Sequence, residues 1–313
     1  MPLPVNIDNF VRAETDRMFA AFVAEAGGVN RFGHRRAPTS IDQQPVIRMN
    51  RDTLYSAAIV DVSEGATVTI PDGGERYISV MVVDQDHFVH RVFHDPGEHA
   101  LAVDELDTPW VGVAGRILVD PGNTDDVAAT NALQDGLAID ARSSKRFERA
   151  DYDTAELNAI RSALLELGRH LGAFDHAFGT KDEVDPVRHL IGTAVGWGGL
   201  PDSEARYLSV EPGLQAGEYE LTVRDVPVDG FWSISVYNAD GYFEPNDRGA
   251  YSVNNITATP NDDGSVTVRF GGCSDDRPNC LPIMDGWNYT VRLYRPRAEV
   301  RDGSWTFPSI ARS

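Results

Sequence analysis

The sequence predicts an α+β protein that is mainly β, with two β-sandwich or barrel-like modules joined by a helical segment. Two β-rich blocks, one over residues 46–120 and one beyond Pro186, flank a stretch with helical periodicity. Both blocks are rich in β-branched and aromatic residues and are punctuated by Gly, Pro and Asp turn signals. We therefore expect a β-rich N-terminal domain with a leading helix at 1–150, a helical connector at 151–184 and a β-sandwich-like domain at 185–313.

The N-terminal block opens with a helix predicted over residues 8–26, where Phe10, Phe19 and Phe22 recur near helical spacing before Gly27. Four segments are then predicted as strands: VIRMNRDTLYSAAIVDV, ATVTI, RYISVMVVD and WVGVAGRILVD. The segment RYISVMVV is apolar on both faces, which is typical of a buried central strand. A short helix is predicted across residues 125–139.

A clearer helix opens at Asp153. The string from Asp153 to Glu156 fits a capping box, with Asp153 as N-cap and Glu156 at N3. An apolar stripe follows, and we expect the helix to end near Gly172 or Gly179. Beyond it, the string HLIGTAVGWGGLPD is predicted as a glycine-rich loop.

The C-terminal block contains four further predicted strands, YELTVRD, GFWSISVYN, SVTVRF and NYTVRLY. The string from Asn261 to Gly264 predicts a hairpin turn in which Gly264 supplies the positive φ.

The charge balance restricts the partners. The 313 residues include 28 Lys and Arg against 48 Asp and Glu, a formal net charge of −20. Such an acidic chain is not expected to bind nucleic acid or anionic membranes. It lacks an apolar run of membrane-spanning length and a signal peptide pattern, so we expect a cytoplasmic protein. A small molecule is the expected partner, and homo-oligomer formation stays open.

The only two cysteines, Cys273 and Cys280, are expected as reduced thiols, although their short separation also allows a local disulfide. Several enzyme motifs are absent: the string from Gly192 to Gly196 has alanine where a nucleophile elbow needs serine. There is no H-E-x-x-H and no P-loop, and the glycines around Trp197 do not form a dinucleotide fingerprint. No cofactor is predicted, with a divalent metal left open.

Histidines and acids concentrate between residues 84 and 95. Asp86 and His87 stand where an apolar strand turns polar, and we take them as candidate general acid and base. If the strand ran on, Asp86 and His90 would share a face and form a weak alternative metal site, with His87 on the other face. The competing interpretation is a strand end with hydrogen-bonded structural histidines.

A second polar cluster interrupts the strand at residues 48–56. The candidate substrate-binding residues here are Arg48, Asn50, Arg51 and Asp52. Arginine binds carboxylate or phosphate through paired hydrogen bonds, and Tyr55 is placed as a donor to a developing oxyanion. A buried structural network explains the same residues.

Aromatic residues give a third signal. Trp197, Trp232 and Tyr237 are candidate ligand-binding residues, since aromatics with a polar handle suit pocket walls. In GFWSISVYN the face that includes Ser233, Ser235 and Tyr237 is semi-polar and suits the lining of a cavity.

The strings NRDTLYSAAIVDV, RYISVMVVDQDHF, VGWGGLPDSEARY, VPVDGFWSISVYNADGYF and NCLPIMDGWNYTVRLYRPRAEVRDGSWTFPSI together resemble a bacterial two-part family. Its halves are the domains of unknown function twelve-fifty-four and twelve-fourteen. The resemblance covers about residues 5–310 and implies two sandwich-like domains joined by helices, but no reaction. The family's motifs map onto Asn50, Asp52, Thr53, Leu54, Tyr55, Asp86, Trp197, Phe231, Trp232, Tyr237 and Asn246.

Three functions remain open. The first is an enzyme acting on a small polar or anionic molecule, most simply a hydrolase with Asp86 and His87 chemistry in a pocket between the two β modules. The second is a non-catalytic small-ligand or carbohydrate-binding protein that stacks its ligand on Tyr242, Trp287 and Trp305. The third is an oligomeric scaffold without a ligand, whose polar clusters are fully satisfied by neighbours.

Overall fold

The computed structural model describes residues 1–44, 47–171, 173–273 and 277–313. It divides into two compact units. The first comprises Met1–Arg36, Leu54–Leu118 and Ala128–Asp202, and the second comprises Ala37–Thr53, Val119–Val127 and Ser203–Ser313. The segment predicted as a connector therefore lies inside the first unit, and residues 37–53 belong to the second. The α+β class with several mainly antiparallel sheets is confirmed.

The part of the chain before residue 200 contains eight β-strands and four α-helices among its described residues. In chain order they are α1 (Phe10–Ala26), β1 (Gly33–His34), β2 (Thr53–Asp61), β3 (Ala66–Ile70), β4 (Ile78–Asp84), β5 (Val89–Phe93), β6 (Gly97–Leu101), β7 (Trp110–Leu118), α2 (Thr124–Asp135), β8 (Ala138–Ala141), α3 (Thr154–Gly168) and α4 (Pro186–Val195).

Two sheets form the core of the first unit, in the orders β1-β2-β7-β4-β5 and β6-β3-β8. Val80, Val82 and Val113 of the larger sheet and Val68 and Leu101 of the smaller belong to one buried cluster, because alternate apolar side chains of each strand face the other sheet. Every residue of β4 is buried, which confirms the prediction of a buried interior strand.

The three helices predicted before Gly172 begin within two residues of their predicted starts. The side chain of Asp153 caps α3 by accepting hydrogen bonds from the backbone N–H groups of Ala155 and Glu156. Glu156 does not complete the box, because its carboxylate accepts from the backbone N–H of Val5 instead. Helix α3 ends at Gly168, earlier than expected, and the candidate end at Gly172 lies outside the described residues.

The prediction of a loop from His189 onward is wrong, because α4 continues to Val195. Asp185 caps this helix and Pro186 occupies its first turn, two start signals that outweigh the glycines further along. Ile191 then packs with Leu157 and Leu164 of α3 in a helical core.

The second unit is built mostly from the C-terminal third of the chain. Its elements are β9 (Ala205–Val210), β10 (Tyr219–Val223), β11 (Trp232–Tyr237), β12 (Ser252–Asn254), β13 (Val266–Phe270), β14 (Cys280–Leu281), β15 (Asn288–Tyr294), α5 (Ala298–Arg301) and β16 (Ala311–Arg312).

Two four-stranded sheets, β14-β13-β10-β16 and β12-β11-β15-β9, share one buried apolar cluster in the manner of a β-sandwich. Val268 and Phe270 come from the first sheet, and Ile234 and Val291 from the second. The predicted hairpin turn precedes β13, and Gly264 has φ +80° as expected.

Two predicted strand continuations are wrong. Strand β2 begins only at Thr53, and Arg48 has a left-handed φ of +53°. Strand β4 ends at Asp84, and His87 has a left-handed φ of +64° in the turn before β5. A left-handed residue breaks the alternation of faces, so the shared faces predicted for residues 48–52 and 84–94 do not exist.

Cys273 and Cys280 are joined by a disulfide, so the prediction of two reduced thiols is wrong. In the part of the chain that the structure describes, no helix combines the length and apolar character needed to cross a membrane.

Candidate functional site

One face of the β12-β11-β15-β9 sheet is buried but polar. Trp232, Ile234 and Val236 of β11 face the apolar core, so the alternate residues of this strand and their neighbours lie on the opposite face. We call seven polar side chains of that face, together with Asp52, the polar layer: Ser233, Ser235, Tyr237, Ser252, Asn254, Thr290 and Arg292.

The strand register sets these side chains side by side. Ser233 lies directly opposite Asn254 on one neighbouring strand and Arg292 on the other. Ser235 lies opposite Ser252 and Thr290 in the next row. Side chains at such directly opposed positions have Cβ atoms about 5 Å apart, so the polar layer is a compact grid.

Residues 48–52 of the second unit contribute backbone to the same grid. The Tyr237 hydroxyl donates to the carbonyl of Met49 at 2.7 Å, and Arg292 Nη2 donates to the carbonyl of Arg48 at 2.8 Å. Asn50 donates from Nδ2 to the Tyr294 hydroxyl at 3.2 Å. These bonds bring three predicted residues, Arg48, Asn50 and Tyr237, into one place.

Arg292 is the cation of the polar layer and is almost fully buried. Its Nη1 donates to the Ser235 hydroxyl at 2.9 Å, and its Nη2 donates to the Tyr237 hydroxyl at 2.8 Å. Burial opposes the charge, but the Coulombic effects of Tyr237, Tyr294 and Asp52 and the hydrogen bond that Arg292 donates to Tyr237 outweigh it and raise the pKa of Arg292. For Tyr237, by contrast, burial raises the pKa, so the hydroxyl keeps its proton.

Asp52 is the anion of the polar layer and has no solvent exposure. Its Oδ1 accepts hydrogen bonds from Ser252 Oγ and Asn254 Nδ2, both at 3.1 Å. Its Oδ2 is buried and has no hydrogen-bond partner among the described residues. A buried carboxylate oxygen normally has a partner, so this atom is the sharpest anomaly of the site.

Further polar atoms of the same region share this condition. Ser233 Oγ, Thr290 Oγ1 and Arg48 Nε are also buried without a partner among the described residues. Leaving such groups unpaired costs about 1–3 kcal/mol each. Each of these atoms therefore needs a hydrogen-bond partner that the described residues do not supply.

Two predicted binding residues take other positions in the second unit. The Arg51 guanidinium lies 5.2 Å from the ring centroid of Tyr251 and donates to the carbonyl of Thr39, and burial lowers its pKa. Trp232 faces the apolar core. Trp287, considered as a stacking residue for a ligand, is also a core residue that packs on Phe270.

The predicted catalytic residues lie in the first unit, and His87 is fully held there by hydrogen bonds. Its Nε2 accepts from the backbone N–H of Gly198 at 2.8 Å, so Nδ1 carries the proton and donates to Thr193 Oγ1 at 2.8 Å. The ring is completely buried and stacks on Trp197 at 5.2 Å and on His189 at 5.5 Å. Both nitrogens of His87 are thus occupied, as the structural interpretation of this histidine requires.

Asp86 is tied to a cation. Both of its carboxylate oxygens accept from Arg12, at 2.9 and 2.6 Å. Tyr55, the third predicted catalytic residue, lies with its ring centroid 5.8 Å from the Arg116 guanidinium.

The side chains of the first unit whose positions could hold a metal ion differ from the predicted pair. His90 Nε2 lies 2.9 Å from Oδ2 of Asp84, not from Asp86, and this bond raises the pKa of His90. Ligand atoms of Asp84, His90 and Asp107 lie within 4.8 Å of one another. Backbone N–H groups of Asp86 and Phe88 hold the other oxygen of Asp84. The set offers one imidazole and two carboxylates, donors that Zn²⁺ accepts.

Sequence reasoning missed Arg292, the central residue of the polar layer. The sequence does contain an indication of this role. Arg292 is the one charged residue in the predicted strand NYTVRLY, so its charge becomes buried if that strand lies inside a sheet. Ser233 belongs to the predicted semi-polar face, but its partners on the neighbouring strands follow only from the register.

The chain is a two-domain α+β protein with two β-rich units. The first unit also contains helices, and the second is a β-sandwich in which one sheet has a buried polar outer face. The domain family described as Protein of unknown function (DUF1254) matches residues 29–100, and Protein of unknown function (DUF1214) matches residues 208–298. The chain therefore belongs to the two-part family that joins these domains, which confirms the resemblance.

Two solved structures share the fold. The VPA0106 protein from Vibrio parahaemolyticus is 19% identical, with 98% of this chain and 97% of that chain covered and a TM-score of 0.75. An uncharacterized protein from Burkholderia cenocepacia is 16% identical, with 98% and 87% covered and a TM-score of 0.53. No curated protein matches the chain.

Proposed function

We propose that the second unit binds a small, hydroxyl-bearing molecule in the polar layer. The observation that carries this proposal is Oδ2 of Asp52, a buried carboxylate oxygen without a partner among the described residues. It accepts hydrogen bonds only, so its ligand has to supply a donor. A buried charge retained without a full set of partners is more often found at a functional site than in a structural core.

The other unpaired atoms specify the ligand further. Ser233 and Thr290 offer hydroxyl groups that donate or accept, and Arg48 Nε donates. A neutral polyol or a sugar presents donors and acceptors on adjacent carbons and matches this mixture. A free anion matches it less well, because Asp52 would repel it.

The contacts of His87 argue against the hydrolase expected from Asp86 and His87. A general base needs a free lone pair within reach of the proton that it takes. The lone pair of His87 is used by Gly198, and the oxygens of Asp86 are used by Arg12. Small-molecule binding is therefore the better-supported alternative of those that the sequence left open.

The test is calorimetric titration with glycerol, xylitol and glucose. We expect saturable binding of at least one of these probes to the unmodified protein, and an affinity about tenfold lower in Asp52→Asn and Ser233→Ala, since hydrogen bonds to a charged group contribute about 1.5–3 kcal/mol. Asp240→Asn and Ser203→Ala, which change exposed residues of the same unit, are the matched controls. Absence of binding, or equal binding by Asp52→Asn and the unmodified protein, would overturn the proposal.

A hydrolytic reaction is the second candidate, and the same oxygen favours it. Oδ2 of Asp52 is a lone-pair site that a bound water or hydroxyl would contact, as a general base requires. Esters of small acids are the substrates to screen. Hydrolysis that is lost in Asp52→Asn but kept in Asp86→Asn would assign the reaction to the polar layer, and hydrolysis lost only in Asp86→Asn would exclude it.

A further inference from the structure

Arg116 is a buried cation in the first unit, and none of the described residues pairs with it as an acid. It lies on β7, nine-tenths buried, and its Nη2 donates to the carbonyl of Gly198 at 2.5 Å. The Tyr55 ring centroid lies 5.8 Å from its guanidinium carbon. Its Nη1 is buried and has no hydrogen-bond partner among the described residues.

A second unpaired group lies beside it. Ser79 of β4 is directly opposite Arg116 of β7 in the strand register, so both side chains are on the same face. Ser79 has no solvent exposure, and its Oγ likewise lacks a partner within the described part of the chain. Two unpaired buried donors, an N–H and an O–H, thus belong to neighbouring side chains on one face of the sheet.

The charge decides what these donors bind. A guanidinium stays charged inside a protein, and an unpaired buried charge is far more costly than an unpaired hydroxyl. Water would satisfy the hydrogen bonds but would leave the charge without compensation. In a chain of net charge −20, an arginine buried away from every acidic partner in the described residues marks a place for an external anion.

We propose that the first unit binds a small monocarboxylate between Arg116 Nη1 and Ser79 Oγ. One carboxylate oxygen accepts from each donor, and a single negative charge neutralises the single positive one. Met81, two residues beyond Ser79 on β4, is fully buried on the same face and offers an apolar surface to the alkyl part. A phosphate, with a charge nearer −2, exceeds the charge of the one guanidinium.

Gly198 links this position to the histidine cluster. At φ +78° its backbone donates through N–H to His87 and accepts through C=O from Arg116. Residues with a Cβ rarely adopt this conformation, so glycine holds the guanidinium in place while leaving Nη1 for a ligand.

The test uses acetate as the probe. Its binding is measured by titration calorimetry and by the NMR signal of carboxyl-labelled acetate. We expect one acetate per chain in the unmodified protein and in the control Arg31→Met, which changes an exposed arginine of the same unit. Binding is expected to be lost in Arg116→Met and weakened about tenfold in Ser79→Ala. Inorganic phosphate is expected to bind more weakly than acetate.

Three results would overturn the proposal: no saturable acetate binding, equal binding by Arg116→Met and the unmodified protein, or tighter binding of phosphate than of acetate. If Arg116→Met does not fold, the Ser79→Ala titration and the shift of the Arg116 guanidinium nitrogen signals on acetate addition carry the test. Neither variant touches the polar layer, so the outcome is independent of polyol binding there.

Discussion

The backbone N–H of Gly198 donates to Nε2 of His87 at 2.8 Å, and this one bond fixes the tautomer of the ring. Nδ1 must then carry the proton that goes to Thr193, whose hydroxyl in turn donates to the carbonyl of His189 at 2.9 Å. The chain of donors and acceptors is complete only while His87 is neutral, which has consequences for stability.

The pH dependence of folding should report the burial of His87. Burial, together with the nearby His189, lowers the pKa of His87 well below its ordinary value in the folded state. Below about pH 6.5 the unfolded chain therefore binds a proton that the folded chain does not, and this histidine lowers stability as pH falls, by up to about 1.4 kcal/mol per pH unit. We expect His87→Asn to lose this slope in urea unfolding between pH 7.5 and 5.

His90 works in the opposite sense, because Asp84 raises its pKa and its contribution is lost as pH rises. The variant is therefore compared with the unmodified protein at each pH. The control is His170→Asn, which changes an exposed histidine and should keep the slope. An unchanged slope in His87→Asn would contradict the assignment.

Arg292 should be essential for the stability of the second unit. Its guanidinium donates to Ser235, Tyr237 and a backbone carbonyl at once, and it lies near the buried charge of Asp52. We expect Arg292→Met to lower the free energy of unfolding by about 3–5 kcal/mol, because it leaves a buried carboxylate without its cation. Urea denaturation measures the change.

Arg292→Lys should lower the free energy of unfolding by nearly as much as Arg292→Met. The ammonium group of lysine cannot donate to all the partners that the planar guanidinium reaches. The matched control is Arg224→Lys, which changes an exposed arginine that pairs with Asp263. It should cost less than about 1 kcal/mol. Equal losses in the two lysine variants would show that the planar fork of Arg292 does not matter.

Zinc titration should show that Asp84 contributes to metal binding and that Asp86 does not. The three side chains with clustered ligand atoms are Asp84, His90 and Asp107, whereas Asp86 is neutralised by Arg12. We expect Zn²⁺ binding to the metal-free protein to weaken at least ~10-fold in Asp84→Asn, since even an outer partner of a ligand contributes that much. Asp86→Asn should bind as the unmodified protein does, and the reverse order of the two variants would contradict the assignment.

The disulfide should be detectable without any structure. Cys273 and Cys280 are separated by seven positions and are bonded to each other, so thiol titration of unfolded, unreduced protein should find no free thiol. The chain-entropy estimate for so short a loop is about 2–3 kcal/mol, the stability that Cys273→Ser with Cys280→Ser is expected to lose. Two free thiols before reduction would contradict the bond and would favour the reducing cytoplasm expected from the sequence.

Local signals in the sequence predicted most of the secondary structure. The N-cap of Asp153, the turn at Gly264 and the alternation of GFWSISVYN depend on neighbouring residues only, and each is found as expected. Helix α4 is not predicted, because the glycines of HLIGTAVGWGGLPD indicate a loop. The residues that start this helix, Asp185 as N-cap and Pro186 in its first turn, lie before that string.

The candidate site was predicted in part. Arg48, Asn50 and Asp52 were chosen on the assumption of a strand face, yet they meet through irregular backbone that Arg48 turns with a left-handed φ. Arg292 could not be connected with them, because the bond between its side chain and the Arg48 carbonyl spans 244 positions of the chain. Pairings of that range are set by strand register, which a single sequence does not contain.

The same long separation determines when the polar layer can form. During synthesis, residues 48–52 leave the ribosome well before β11 and β15, and the Tyr294 hydroxyl that binds Asn50 follows 244 positions later. At about 5–20 residues per second, the nascent segment waits at least ~10 s for its partners, with a carboxylate and two arginines that keep it hydrated in the meantime. The charged side chains of residues 48–52 thus have a second effect. They oppose aggregation of this segment until β15, the last part of the polar layer, has been synthesised.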